Sequence, residues 1–299
     1  MSPRAEASEL VLLTTQAMRA RRHPGVVALL WAWQSALAVL VAWPAASLAL
    51  ATYGDGTAGD GALWASGSRG LLDFVTRNGP GLRAVAGDAL AVLLFAAVVG
   101  LVPMAATLTA LAHATRDRRS VGLAPALGEG LRLFPAMALL LAVASVAQGL
   151  TLGFGAAAGA VVEAWVHASL GEARAQQLEG LVLLSFLGLA SVIGVAHDLA
   201  RVAVVRFQVR GWRGVLLGAR VLRIAPLSAC WSWAWRGAAS LLPVVAAAWV
   251  TGHLGGRTGT PLVAVFVLHQ AVVVSRVALR TSWLACALRT VDTTLRRAF

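Results

Sequence analysis

Lysine is absent from this chain, and 13 acidic residues face 25 arginines, leaving a formal net charge of +12. In a soluble protein such an excess would suggest nucleic acid as a partner. Here the arginines sit beside apolar stretches and form no continuous basic domain. Nucleic acid is therefore set aside, and anionic lipid headgroups become the expected partner. A GC-rich coding sequence explains the all-arginine usage more simply than a chemical need for guanidinium at every position.

Cysteine is scarce too. Cys230 and Cys286 are the two in the chain, without CxxC spacing or a histidine at metal-ligand spacing, so neither a disulfide nor a metal site is expected. Catalytic signatures are missing as well: no GxSxG elbow, no HExxH, no GxxxxGKS phosphate loop and no long soluble stretch for a catalytic domain. The expectation is a protein that is not an enzyme and needs no cofactor.

Charge of either sign is rare. Charged residues make up 13 % of the chain and hydrophobic residues 59 %, with a mean hydropathy of +0.76. One soluble core could not hide that much apolar surface. Uncharged runs cover 24–54, 89–115, 133–162, 180–197, 237–252 and 258–275. Most of them approach or exceed the roughly 20 residues that cross about 30 Å of hydrocarbon. The expected fold class is an all-α integral membrane protein with six transmembrane helices, residues 1–299 forming a single membrane domain.

Arginine counts give the orientation. Arg4, Arg19, Arg21 and Arg22 precede the first run; Arg116, Arg118, Arg119 and Arg132 lie in the second connection; Arg206, Arg210, Arg213, Arg220 and Arg223 lie in the fourth. By the positive-inside rule these segments are cytoplasmic, as is the tail with Arg289, Arg296 and Arg297. The expected location is the bacterial inner membrane with both termini inside. A cleaved signal peptide is the competing reading of the start, but the first apolar run is long for one and five more follow.

An internal repeat organises the chain. Arg21 stands three residues before Pro24, Arg132 before Pro135 and Arg223 before Pro226, each at the edge of an apolar stretch. Seven and nine residues after Pro24 come Trp31 and Trp33; at the same offsets after Pro226 come Trp233 and Trp235. Each proline suits the first turn of a helix, where its missing N–H leaves nothing unsatisfied. Before the prolines, apolar residues fall at helical spacing: Leu10, Leu13 and Ala17; Leu123, Leu127 and Leu131; Val215, Leu216, Val221 and Leu222. The expectation is three hairpins, over about 6–115, 120–205 and 211–292, each preceded by a short cytoplasmic amphipathic helix. Arg21, Arg22, Arg132, Arg220 and Arg223 would then reach lipid phosphates, although a cytoplasmic loop folded on the bundle fits the same pattern. The middle unit lacks the tryptophans and carries Gly149, Gly153, Gly155 and Gly159, which suits either a close helix-packing face or a hinge.

Polar residues inside apolar stretches are the candidates for a site. Asp198 and Arg201 are three apart and can pair on one helical face, while Gln270, Arg276 and Arg280 lie in the sixth run or just past it. Arg236 occupies the position that Gln34 holds in the first unit, so it sits in the span or at its interface. These six form a candidate intramembrane polar cluster, as a salt-bridge network, as headgroup anchors or as a functional site. His113, His197 and His269 could serve a proton relay or simply pack as neutral rings.

The segment Asp198 to Arg201, the arginine-rich stretch ending at Arg223-Ile224-Ala225-Pro226, and Gln270 followed by Arg276 and Arg280 resemble a group of poorly characterised bacterial six-helix membrane proteins. That group is similar to the membrane domain that some glycerophosphodiester phosphodiesterases carry beside a catalytic barrel. The likeness covers roughly 180–292 and implies a membrane module without the barrel or its activity. The expected function is a non-enzymatic membrane-embedded module that contacts anionic lipid or organises a membrane complex, alone or as a homo-oligomer. A small transporter or channel for an anionic or amphiphilic solute is the alternative.

Overall fold

The computed structural model describes residues 24–53, 75–117, 122–254 and 260–296, and every element in them is an α-helix. In chain order these are α1 (Pro24–Tyr53), α2 (Gly79–Val99), α3 (Leu101–Asp117), α4 (Leu123–Leu170), α5 (Glu172–Phe207), α6 (Gly211–Ile224), α7 (Pro226–Leu254) and α8 (Thr260–Arg296). Five stretches are long and apolar enough to cross a membrane, with α2 and α3 counted together as Gly79–His113. A sixth is added if α6 and α7, which meet at 97°, form one broken span.

Burial is uneven along the helices. One end of the bundle holds a packed core built from α3, α4, α5 and α8, with Trp283, Leu108, Met137, Leu199 and Leu288 among its largest enclosed side chains. Beyond it, large apolar side chains point outward, including Phe95, Phe154, Leu242 and Trp249, each about two-thirds exposed. Water would make such a surface an aggregation hazard, whereas lipid tails solvate it. The second span begins about ten residues earlier than the uncharged run from 89, because Arg83 and Asp88 are carried on exposed positions of α2.

The expectation of a separate amphipathic helix before every hairpin needs correction. The first one falls at residues 10–22, outside the described residues. The second is not separate: Leu123, Leu127 and Leu131 are the opening turns of α4, which runs through Pro135 without a break. Pro135 lies on the exposed side, so its ring and the carbonyl it cannot serve face outward. On the opposite side Ala126, Gly130, Leu133 and Met137 are buried in a continuous stripe against α3, which holds the helix together. At 48 residues α4 is longer than any bilayer core requires.

Among the described residues, the third segment alone is a separate helix. Ala225 leaves the helical region (φ −131°, ψ 54°), as expected of a residue before proline, and Pro226 starts α7. The buried face of α6 is Gly211, Gly214, Gly218 and Val221, and Trp212, Arg213, Leu216, Arg220 and Arg223 are exposed. A Cβ on Gly218 would meet Ala200 N at 2.7 Å and Ala196 O at 2.8 Å, so the two backbones touch there. Close approach also joins α4 to α5: a Cβ on Gly155 would lie 2.6 Å from that of Phe186, and one on Gly159 3.1 Å from Glu179 Cγ. Gly149 and Gly153 have nothing within 4 Å and contribute nothing to that contact. Gly171, at φ 81°, makes the turn between α4 and α5 in the left-handed region that glycine tolerates.

Candidate functional site

Asp198 lies on α5 where that helix crosses α8, and its residue is 3 % exposed. A carboxylate in such a place must be compensated fully, and it is. Arg280 on α8 donates from Nη1 to Oδ2 and from Nη2 to Oδ1, both at 2.6 Å. The indole Nε1–H of Trp283 donates to Oδ2 at 2.8 Å. Arg201, one turn along α5, adds a longer contact from Nη1 to Oδ1 at 3.5 Å. The planar guanidinium matches the carboxylate edge in two parallel bonds, a geometry that lysine could not supply.

The cluster carries two cations for one carboxylate. Arg201 Nε and His197 Nε2 are both buried without a hydrogen-bond partner. The second arginine is thus held by proximity to Asp198 more than by directed bonds, and one positive charge remains in excess.

The other candidates lie elsewhere. Arg276 is exposed, four residues before Arg280, and takes no part in the ion pair. Gln270 instead ties α1 to α8, accepting from Trp31 Nε1 at 3.0 Å and Ser35 Oγ at 3.4 Å. Arg236 is 3 % exposed and has neutral partners: Ser232 O at 2.7 Å, Ser232 Oγ at 2.5 Å and Ser282 Oγ at 3.1 Å. Its guanidinium also stacks over the Trp235 ring, 4.5 Å from the centroid. Ser232 Oγ in turn lies 3.1 Å from Cys286 Sγ, and both cysteines are free thiols.

Of the arginines expected at headgroups, Arg21 and Arg22 lie outside the described residues. Arg132 grips Glu129 at 2.8 and 2.5 Å and also reaches Gln208 at the end of α5, bracing two helices. Arg220 and Arg223 are exposed on α6. Sequence reasoning missed Trp283, Glu129 and Asp292, the last holding Arg206 at 2.7 Å. Trp283 was findable, being three residues past Arg280 on the same helical face. Among the described residues no three His, Cys, Asp or Glu side chains converge as a metal site would require.

No family model, curated protein or solved structure matches this chain.

Proposed function

We propose that this chain is a non-enzymatic module of the bacterial inner membrane whose α6 binds anionic lipid at the cytoplasmic leaflet. The observation that carries this reading is the 97° turn between α6 and α7. Taken as one broken span, the pair enters the bilayer through α7, and α6 is turned along its surface. Its glycine side is seated on α5, and Trp212, Leu216, Arg213, Arg220 and Arg223 are left outward, a composition suited to the headgroup boundary. In this reading the chain spans six times as three hairpins with both termini in the cytoplasm, as the arginine distribution favours. The Asp198–Arg280–Trp283 cluster then serves as the clamp that fixes α5 to α8 beneath the lipid-binding surface.

Co-flotation with liposomes tests the proposal. Each arginine near an anionic surface contributes about 1 kcal/mol, so the triple change Arg213→Gln, Arg220→Gln and Arg223→Gln should weaken binding to anionic vesicles by about a hundredfold. Equal binding to anionic and neutral vesicles by the unaltered protein would remove the proposal.

The second reading is a transporter or channel for an anionic or amphiphilic solute. The excess positive charge at Asp198, with Arg201 Nε and His197 Nε2 both unpartnered, favours it. Anion flux into proteoliposomes that disappears in Arg201→Gln would establish that reading over the first.

A further inference from the structure

The opening turns of α4 face α1 across a groove of about 660 Å³. Leu127, Leu131 and Phe134 make one wall, and Ala32, Trp33 and Ala36 make the other. The floor is the junction of α2 and α3, where Val99 and Pro103 face the space. Trp33 is seated on that floor: a Cβ added to Gly100 would lie 3.2 Å from its indole Nε1. Glycine leaves room there for the ring, and the ring holds α1 at its distance from α4.

The walls define what can fill this space. Among the described residues no charged, hydroxyl or amide side chain lines it. A headgroup or a polar solute would enter without partners and bear its full desolvation cost. Left empty, the walls would forfeit the contacts that close packing supplies. The groove opens beside Leu131 and Val98, both on the outward apolar surface that lipid tails solvate. Lipid is the solvent of that surface, so its chains prevail by mass action over any dilute apolar partner. At the rim, Arg132 follows Leu131 and is neutralised by Glu129, so this pair gives no preference for a headgroup of either charge.

We infer that the α1–α4 groove holds one acyl chain of a phospholipid from the leaflet on the side of α6, as a bound lipid selected by its chain and not by its headgroup. The groove shares with the proposed function only the bilayer around the protein. Charge is what α6 recognises, and shape is what the groove recognises. The triple arginine variant should keep the groove lipid, and Ala32→Trp should keep the preference for anionic vesicles, so the two proposals fail separately.

Native mass spectrometry of the full chain, extracted in mild detergent from bilayers of mixed ethanolamine and glycerol phospholipid, counts the retained lipid. One phospholipid per chain should survive washing, with the two headgroup classes retained to within about threefold of each other. Ala32→Trp and Ala36→Phe fill the groove and should each lower retention about tenfold, while the melting temperature holds or rises because the new side chain replaces the lipid contacts. Ala38→Trp, at an exposed position on the opposite side of α1, should leave retention unchanged. A choline phospholipid with a photoactivatable diazirine in one acyl chain locates the site on the unaltered protein: cross-links should concentrate in residues 29–36 and 127–134 and be displaced by excess unlabelled lipid. Cross-links spread evenly over α7 and not displaced would mean ordinary solvating lipid and overturn the inference. So would a mass of two chains or of a non-phospholipid molecule in place of the lipid, or retention that follows headgroup charge and survives Ala32→Trp.

Discussion

Arg280 holds both carboxylate oxygens of Asp198 at 2.6 Å, across 82 residues of sequence. The pair locks α5 to α8 at the edge of their buried stretches, 198–205 on α5 and 281–288 on α8. Asp198→Asn keeps the side-chain shape and leaves two arginines without their counter-charge. Removing one partner of a buried pair costs about 3–5 kcal/mol, so a marked fall in the melting temperature in detergent is expected. Arg280→Gln should fall comparably, whereas Arg276→Gln, on an exposed position, should stay within about 0.5 kcal/mol of the unaltered protein. In the double variant Asp198→Asn with Arg280→Gln the loss should be smaller than the sum of the two. Equal losses for the Arg276 and Arg280 variants would contradict this pairing.

Glycine packing under α6 makes a second prediction. Gly218→Val would drive side-chain carbons into the Ala196–Ala200 backbone, where no flexible side chain can yield. Overpacking of that kind costs about 1–3 kcal/mol, and it should also loosen α6 enough to raise protease cleavage near Arg210. Gly237 provides the control. Nothing lies within 4 Å of a Cβ there, so Gly237→Ala within α7 should be neutral or stabilise by about 0.5–1 kcal/mol.

These positions also show what could be read from the sequence. Composition and the uncharged runs sufficed for long apolar helices, because lipid imposes the same requirement on every spanning segment. Asp198 and Arg201 were visible as a pair, since three-residue spacing fixes their shared face locally. The choice between Arg276 and Arg280 was not, because both occupy one face of α8. It depends on the axial offset between α5 and α8, which the packing of Trp283 and its buried neighbours sets. The inward side of α6 was out of reach for a related reason: the helix sits so close to α5 that Gly211, Gly214 and Gly218 face inward beside Val221, and glycine carries no apolar signal. The burial of Arg236 was equally out of reach, because its partners Ser232 and Ser282 carry no signal of their own and meet only in the fold.

Topology is open to direct measurement. The α4–α5 turn at Gly171 and the end of α5 at Gln208 lie at opposite ends of a 36-residue helix. In a background with Cys230→Ser and Cys286→Ala, Arg174→Cys and Arg210→Cys place thiols at those two exposed ends. An impermeant maleimide applied to intact spheroplasts should label the Arg174→Cys protein, and the Arg210→Cys protein should react only after the membrane is opened. Labelling of both from one side would show that α5 does not cross.

Arg236 is a cation enclosed among neutral groups, and its energetics invert the usual expectation for a buried arginine. Burying a guanidinium without a carboxylate forfeits its hydration, and the hydroxyls of Ser232 and Ser282 return only part of that. Methionine has similar length, no charge and a flexible stem that fits irregular space. Arg236→Met should therefore be neutral or stabilise by up to about 2 kcal/mol, with Ser232 still able to bond Cys286. Arg236→Lys should be worse than either, since an ammonium is more strongly hydrated and cannot reach Ser232 and Ser282 with a planar fork. Thermal unfolding of the three proteins in one detergent gives the order. A loss above about 2 kcal/mol in Arg236→Met would mean that the cation is balanced by an anion, and lipid analysis of that variant against the unaltered protein would then identify it.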